Sequence, residues 1–289
     1  MLALLALVVV TAVWGVTFVQ VKDAVELYPL FAFLAVRFFI ATATLAPVAW
    51  RRVAALGRTG IVAAASLGLL LALGYALQTA GLERTTVSAT GFITGLYVVL
   101  TPLLALALFR VRIGRAAWAG VAVATGGLAL LSGVEAGSLS GDLLVLGCAA
   151  AFSLQIVLME RFAPRYDPLA LTLVEMAAVC AVFVAVAIAL GDVERPSGGT
   201  VWAALLVTGV FASALAFLAQ SWAQQRATAT QTALVFALEP VFAGAFGYWL
   251  ADDRLGWSGW LGCGAILAGI ALAEPSAAEA MRRLLRRPG

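Results

Sequence analysis

The sequence predicts an all-α polytopic membrane protein with ten transmembrane helices, arranged as two inverted five-helix repeats. Of its 289 residues, 63% are hydrophobic and 11% are charged, whereas a soluble domain carries roughly 25% charged residues. A membrane-spanning helix needs about 20 consecutive apolar residues, and ten such stretches can be marked along the chain. These runs lack the alternation typical of transmembrane barrel strands, so helices are predicted throughout.

The ten apolar stretches follow one another with short loops that leave no room for a separate soluble domain. The first run continues past Trp14 without a basic leader or a clear cleavage site, so we expect a first span rather than a signal peptide. The predicted spans are Leu2–Gln20, Pro29–Trp50, Gly60–Leu82, Thr86–Phe109, Ile113–Ser132, Gly141–Phe162, Pro168–Leu190, Thr200–Trp222, Thr228–Leu250 and Trp257–Ala273.

The spans of the two halves correspond in order, which predicts a first repeat at 1–136, a second at 137–276 and a basic tail at 277–289. Because each repeat has an odd number of spans, the halves should be inverted, as in secondary transporters whose site lies between them. The matching residues are Pro29 and Pro168, Gln78 and Gln220, Pro102 and Pro240, and the W-x-G-x6-G motifs of Trp118, Gly120, Gly127 and of Trp260, Gly262, Gly269.

Charged residues alternate in sign from one predicted loop to the next. Basic residues mark the cytoplasmic side, so both termini are predicted to be cytoplasmic in a bacterial inner (plasma) membrane. The same distribution accounts for the net charge of +3 without a nucleic-acid partner. The basic positions are Arg51, Arg52, Arg58, Arg110, Arg112, Arg115, Arg161, Arg165, Arg226, Arg282, Arg283, Arg286 and Arg287; the acidic ones are Asp23, Glu26, Glu83, Glu135, Asp142, Asp192, Glu194, Asp252 and Asp253.

The chain contains no histidine and three cysteines. A histidine metal site and a Ser–His or Cys–His catalytic pair are therefore excluded. Cys148, Cys180 and Cys263 each stand alone in an apolar stretch, as small buried side chains do. We predict no metal, no cofactor and no enzymatic activity.

Arg37 is predicted to lie about 12 Å inside the second span, at 1.5 Å per residue. An arginine near the bilayer centre costs on the order of 2.5–3.5 kcal/mol, so its side chain should face the bundle interior. It either attracts a substrate carboxylate or pins the fold by binding a glutamate or backbone carbonyls. Glu175, about 10 Å into the seventh span, is one candidate partner across the halves.

Glu239 precedes Pro240 at about 16 Å into the ninth span. Proline donates no backbone hydrogen bond and clashes with the carbonyl one turn earlier, here that of Phe236, so the helix should bend. A carboxylate beside this break could hold a substrate amine or carry a proton; the alternative is a protonated glutamate bonded within the bundle. Pro102 is the matching hinge of the first half, where Thr101 replaces the acid.

Further polar and aromatic side chains occur at helical depth. They either line a cavity for an amphiphilic substrate or join helices through hydrogen bonds worth around 0.6 kcal/mol each. Trp222 belongs to this wider group. The candidate substrate-binding residues are Trp14, Thr17, Arg37, Tyr75, Gln78, Thr94, Tyr97, Gln155, Gln220 and Glu239.

These features resemble the EamA-type family of the drug/metabolite transporter superfamily. The resemblance covers residues 5–273 and implies ten spans in inverted halves, cytoplasmic termini and a central cavity walled mainly by spans 1, 3, 4, 6, 8 and 9. Among the family's branches the chain is most similar to bacterial amino-acid exporters, including the aromatic amino-acid exporters. The pair Asp252-Asp253 departs from the single glutamate that often follows span nine. The resemblance is carried by Trp14-Gly15 with Phe18, Arg37, Leu-Thr-Pro at 100–102, Leu-Glu-Pro at 238–240 and the glycine-rich closing spans.

The predicted function is export of amino acids or related small metabolites by alternating access. The expected partners are a small-molecule substrate and the lipid bilayer, with protons as a candidate coupling ion. A multidrug or nucleotide-sugar type carrier is the alternative. A phosphate cargo, however, would favour several basic side chains in the cavity, and Arg37 is the one that is clearly available. An intramembrane enzyme is the third hypothesis, for which Glu175 and Glu239 on different spans supply no catalytic dyad.

Overall fold

The structure is a computed structural model that describes residues 2–25, 27–85, 87–132, 138–250 and 256–273. Within these ranges the regular elements are helices, which confirms the predicted all-α class. Part of the predicted charge alternation lies outside the described residues, namely Glu26, Glu135, Asp252, Asp253 and the tail 277–289.

The described helices follow the order of the predicted spans. The N-terminal half contains α1 (Leu2–Val25), α2 (Leu30–Val53), α3 (Gly57–Leu82), α4 (Val87–Gly95), α5 (Tyr97–Phe109) and α6 (Arg115–Ser132). The C-terminal half contains α7 (Leu139–Phe162), α8 (Pro168–Leu190), α9 (Gly199–Gly209), α10 (Ala216–Ala223), α11 (Ala229–Phe236), α12 (Glu239–Leu250) and α13 (Trp257–Ala273). A π-helical segment, Val210–Leu215, joins α9 to α10.

Seven helical stretches in the described part of the chain are long and apolar enough to cross a bilayer. One of them, Leu30–Leu82, has 53 residues, about 80 Å of helix, which exceeds one crossing of about 30 Å. It holds two predicted spans, separated at Gly57, whose φ of 62° favours glycine. Leu2–Thr17 and Trp257–Ala273 are shorter apolar helices at the first and last predicted spans. The protein is therefore a polytopic helical membrane protein, and the count of ten spans stays a prediction.

Helices α6 and α13 pack against each other at the repeated glycines. A Cβ atom on Gly120 would lie 2.4 Å from the carbonyl oxygen of Gly269, and one on Gly127 would lie 2.6 Å from that of Gly262. The earlier glycine of α6, Gly120, faces the later glycine of α13, Gly269, so the two helices run antiparallel. The glycines thus permit close backbone packing, as small residues do between membrane helices.

Helices α2 and α8 also pack together, and polar contacts between the two halves of the chain lie at both ends of this helix pair. At one end, Arg52 Nη1 lies 3.0 Å from Asp167 Oδ2 in an ion pair. Asp167 also caps α8, because its Oδ1 accepts the Ala170 amide at 3.0 Å. At the other end the Tyr28 hydroxyl donates to the Glu194 carbonyl at 2.7 Å. These contacts set the two halves side by side around α2 and α8.

Candidate functional site

The π-helical segment brings the backbone of the C-terminal half against α2. A π-helical turn interrupts the regular α-helical bonding pattern and is frequent at functional sites. Gly209 comes directly before the segment, and a Cβ atom there would lie 2.7 Å from Ile40 Cγ2 and 3.0 Å from the Arg37 carbonyl oxygen. The absence of a side chain at this glycine therefore lets α2 approach closely at Arg37.

Arg37 binds this segment. Its Nε donates to Ser213 Oγ at 2.8 Å, and its Nη2 donates to the Ala212 carbonyl at 3.4 Å. The residue is 7% exposed. Its guanidinium carbon lies 5.4 Å from the ring centroid of Phe38 and 5.8 Å from that of Tyr75, within the range of a cation–π attraction. A buried guanidinium is thus held between hydrogen-bond acceptors and aromatic faces.

Trp14 reaches the same segment from α1. Its Nε1 donates at 2.8 Å to the Ala212 carbonyl, which also accepts from Arg37. Its ring lies edge-on to Phe236, with centroids 4.9 Å apart, and 5.8 Å from Phe217. Trp14 therefore connects α1 with α10 and α11. The neighbouring Thr17 hydroxyl is bonded within α1, to the Trp14 carbonyl at 3.0 Å.

Span nine is interrupted next to Glu239. Helix α11 ends at Phe236 and α12 begins at Glu239. Between them the Leu238 amide bonds to the Val235 carbonyl at 3.0 Å, a tighter turn than that of an α-helix. Pro240 has no amide hydrogen to continue the α-helical pattern. The interruption occurs where the sequence analysis expects a bend, and its action as a hinge stays a prediction.

The interruption in the first half lies at Leu96 and not at the proline. Helix α4 ends at Gly95, and α5 begins at Tyr97 and continues through Pro102. A Cβ atom on Gly95 would lie 2.3 Å from Leu128 Cδ2, so close packing against α6 accompanies the break. A proline inside a membrane helix is tolerated where neighbouring groups satisfy the backbone. Pro102 as a hinge therefore also stays a prediction.

These interruptions bring opposite charges into one region of the bundle. Glu239 is half-buried. It interacts electrostatically with Arg37 and with the hydroxyl groups of Tyr75 and Tyr97. The ion pairs found among the described residues do not include one between Arg37 and Glu239. An arginine and a glutamate held apart beside two phenol groups can receive a ligand that carries both a carboxylate and an amine.

Gln78 and Thr94 lie on the α3 and α4 side of this region and bind each other. Gln78 Nε2 donates to Thr94 Oγ1 at 3.2 Å, and the Thr94 hydroxyl also bonds with the Cys148 thiol on α7. The Tyr75 ring lies edge-on to Phe152, with centroids 5.3 Å apart. The polar side chains here join α3, α4 and α7, as expected of interhelical hydrogen bonds.

Gln155 and Gln220 belong to a different group of buried side chains. Gln155 Nε2 donates to Glu175 Oε1 at 2.8 Å, and Gln220 Nε2 donates to Gln155 Oε1 at 3.0 Å. Glu175 is therefore bound to an amide, and the ion pair with Arg37 that its depth allowed does not form. The structure divides the predicted substrate-binding set into residues near Glu239 and residues near Glu175.

Trp222 lies at a separate cleft of about 430 Å³ beside the Arg52–Asp167 ion pair. The guanidinium carbon of Arg226 lies 5.0 Å from its ring centroid. The cleft is bounded by the ends of α2 and α8 and by α10. Its lining residues are Arg52, Asp167, Pro168, Leu169, Leu215, Leu218, Ala219 and Trp222.

Three residues that shape these sites were not predicted from the sequence. Ala212 acts through its carbonyl group, which no side-chain type reveals. Ser213 is one hydroxyl in an otherwise apolar run, and its contact with Arg37 depends on the π-helical turn. Gln224 lies four residues after Gln220, and this spacing on one helix face was a usable signal.

Comparisons with known proteins agree with this architecture. The EamA-like transporter family matches the chain twice, at residues 1–133 and 139–273. A protein of Archaeoglobus fulgidus named "Uncharacterized transporter" is 32% identical over 242 residues, which cover 84% of this chain and 76% of that protein. One crystal structure matches with a TM-score of 0.79 over 96% of this chain and 98% of its own, at 21% identity. At that identity, the likeness concerns the fold alone.

Proposed function

This chain belongs to the EamA-like transporter family, and from that premise we propose that it exports amino acids or related small metabolites by alternating access. The observation that supports this cargo is the separation of Arg37 from Glu239 beside Tyr75 and Tyr97. An amino acid carries a carboxylate and an ammonium group on one carbon atom. It therefore complements both charges at once, whereas a cargo of one sign leaves one of them unpaired in a low-dielectric site.

The proposed binding mode assigns the carboxylate to Arg37 and the amine to Glu239. A guanidinium group has five N–H donors in a planar fork. Nε and Nη2 of Arg37 already hold Ser213 and Ala212, and the Tyr75 hydroxyl also bonds with the guanidinium, so the substrate carboxylate takes the donors that remain. The protein thus orients the guanidinium before the cargo arrives, which lowers the entropy lost on binding.

Aromatic side chains around this pair suit the apolar part of an amino acid. Trp14 packs against Phe236 and Phe217 on one side, and Tyr75 packs against Phe38, with centroids 5.7 Å apart, on the other. Aromatic rings prefer edge-on and offset contacts with one another. We therefore expect amino acids with aromatic or large aliphatic side chains to be preferred over small polar ones.

The proposed transport cycle uses two inverted halves that form the site between them. The family match occurs once in each half, and the antiparallel crossing of α6 and α13 at matching glycines supports the inversion. Helices interrupted near mid-membrane are typical of transporter sites. The interruptions at Leu96 and at 237–238 are where we expect each half to bend.

The proposed location is the inner membrane with both termini in the cytoplasm. It is supported by the basic residues that follow α2, α5, α7 and α10, since positive charge is retained on the cytoplasmic side. In this orientation the cleft at Arg52 and Trp222 opens toward the cytoplasm. Protons are the proposed coupling ion.

A multidrug or nucleotide-sugar type carrier is the alternative on the same fold. A nucleotide sugar would need several cations to bind its phosphates. Among the described residues, Arg37 is the one basic residue that is buried. The aromatic walls would suit apolar drugs, but a neutral drug would leave both Arg37 and Glu239 unpaired.

Transport by purified protein in proteoliposomes tests the proposal. We expect labelled aromatic and aliphatic amino acids to exchange across the membrane, and their amides and decarboxylated amines to exchange poorly. Glu83→Gln, at an exposed position, is the control and should transport normally. Exchange of drugs or nucleotide sugars without exchange of any amino acid would replace the proposed cargo.

A further inference from the structure

Glu175 is a carboxyl group in α8 that the proposed cargo site does not use. Its side chain is fully buried, with 0% exposure. Helix α3 covers it closely, because a Cβ atom on Gly68 would lie 2.4 Å from the Glu175 carbonyl oxygen. Oε1 accepts the hydrogen bond from Gln155, and Oε2 has no hydrogen-bond partner in the described part of the chain. An ionised carboxylate here would have lost its water without gaining the donors that replace it.

The ion pairs among the described residues include none with Glu175. Arg37 on α2 is engaged by Ser213 and Ala212, and Glu160 on α7 accepts the Ala229 amide at 2.9 Å. The π-helical segment and α10 contain no titratable residue. The titratable side chains that the packed helices present away from their ends are Arg37 on α2, Tyr75 on α3, Cys148 on α7 and Cys180 on α8 itself, whereas Glu160 lies in the last turn of α7. Among the described residues, Gln155 is the side chain that hydrogen-bonds to Glu175, and a carboxyl group buried without a cation is favoured in its neutral form.

Gln155 begins a row of buried amide side chains that leads to the end of α10. Gln220 Nε2 donates to Gln155 Oε1 at 3.0 Å and to Gln224 Oε1 at 2.9 Å. Gln224 Nε2 donates to the Ile156 carbonyl at 2.8 Å. Gln220 Oε1 is buried and has no donor, a place that a water molecule can satisfy. Gln224 lies at the end of α10, close to the exposed residue Arg226.

We infer that Glu175 is the proton-binding site that couples export to a proton gradient, and that its proton passes to water that enters beside the Gln155–Gln220–Gln224 row from the cytoplasmic side. The inference rests on the proposed transport function. Packing of α3, α7 and α10 around Glu175 requires the neutral acid, because an ionised one would be buried without a partner. Separation of these helices admits water, and the proton leaves to it. Glu239 then serves the cargo amine alone.

Infrared spectroscopy tests the bound proton without any transport measurement. The purified protein should show the C=O stretching band of a protonated carboxyl group, and Glu175→Gln should lose that band. Glu83→Gln, at an exposed position, should keep it, and Glu239→Gln separates any contribution from the cargo site. Should Glu175→Gln fail to fold, Gln155→Met removes the donor to Oε1 and should shift the band to higher frequency. An unchanged band in both Glu175→Gln and Gln155→Met overturns the inference.

Proteoliposomes test the coupling. Glu175→Gln should retain amino-acid exchange at equal pH and lose the acceleration caused by an imposed pH gradient, whereas Glu83→Gln should retain both. A Glu175→Gln variant that still responds to the gradient overturns the coupling role. Absence of exchange in the unmodified protein would contradict the proposed function instead, and the infrared result would then decide the proton site by itself.

Sodium is the competing ligand for buried oxygen atoms. The thermal stability of the unmodified protein should not change when sodium replaces potassium or choline. A rise in stability with sodium that Glu175→Gln abolishes would show a cation site in place of a proton site, and would overturn the inference.

Discussion

The guanidinium of Arg37 on α2 is joined to the hydroxyl of Ser213 in the π-helical segment by a hydrogen bond of 2.8 Å. This bond links the two halves of the chain beside the proposed cargo site. Arg37 therefore combines an anchoring contact with a position suited to a carboxylate. The two roles can be separated, because Ser213→Ala removes part of the anchor and leaves the guanidinium in place.

We expect Arg37→Ala to weaken the affinity for amino acids by about 10- to 100-fold, since hydrogen bonds to charged groups contribute about 1.5–3 kcal/mol. Arg37→Lys should not fully restore it, because lysine lacks the planar fork. Ser213→Ala should have the smaller effect. Competition assays with amino acids and their amides measure the affinity of each variant. Equal loss for both ligands, together with a collapse of thermal stability, would show that Arg37 only holds the fold.

Glu239→Gln should fold and bind all amino acids more weakly, because the substitution keeps the size of the side chain and removes its charge. Glu239→Asp keeps the charge and should retain more activity. The response to an imposed pH gradient should remain if Glu239 holds the amine. Loss of that response with preserved exchange would make Glu239 the proton carrier. Normal transport by Glu239→Gln would show that our assignment of the cargo site is wrong.

The proposed orientation places residues 51–59 and the C-terminal arginines in the cytoplasm and residues 191–199 in the periplasm. Arg58 and Ser197 are both exposed, so each can be replaced by cysteine in a variant without Cys148, Cys180 and Cys263. An impermeant thiol reagent added to intact cells should label Ser197→Cys and not Arg58→Cys. The opposite labelling pattern would reverse the orientation.

Gly127→Ala should lower the free energy of unfolding by about 1–3 kcal/mol, the usual cost of overpacking. The added Cβ atom would lie 2.6 Å from the Gly262 carbonyl oxygen and 2.8 Å from the Ile266 amide nitrogen. These are backbone atoms, which cannot move aside as a side chain can. Thermal unfolding in detergent measures the effect.

Gly126→Ala is the matched control for the glycine crossing. It lies one residue away on α6, and a Cβ atom there meets no heavy atom within 4 Å. Alanine is the better helix former by about 1 kcal/mol, so stability should be unchanged or higher. If both alanine variants unfold at the same temperature, the close crossing of α6 and α13 does not contribute to stability.

The class of fold and the residues that are costly in a membrane could be predicted from the sequence alone. Apolar segments of membrane length determine a helical membrane protein, because backbone groups in lipid must be bonded within the segment. The same penalty on buried charge singles out Arg37, Glu175 and Glu239. Pro240 indicated the interruption beside Glu239, because the lack of a backbone N–H in proline can be read directly from the sequence.

The tertiary structure decided which of these residues belong together. Arg37 binds Ser213 and Ala212 because the π-helical segment turns these groups toward α2, and Glu175 meets Gln155 because α3 packs against both α7 and α8. The first-half interruption occurs at Leu96, where Gly95 meets Leu128, and not at Pro102. The residue type determines how much free energy a buried polar group gains when it finds a partner. Which partner it finds depends on how helices from distant parts of the chain pack together, and no local sequence pattern encodes that packing.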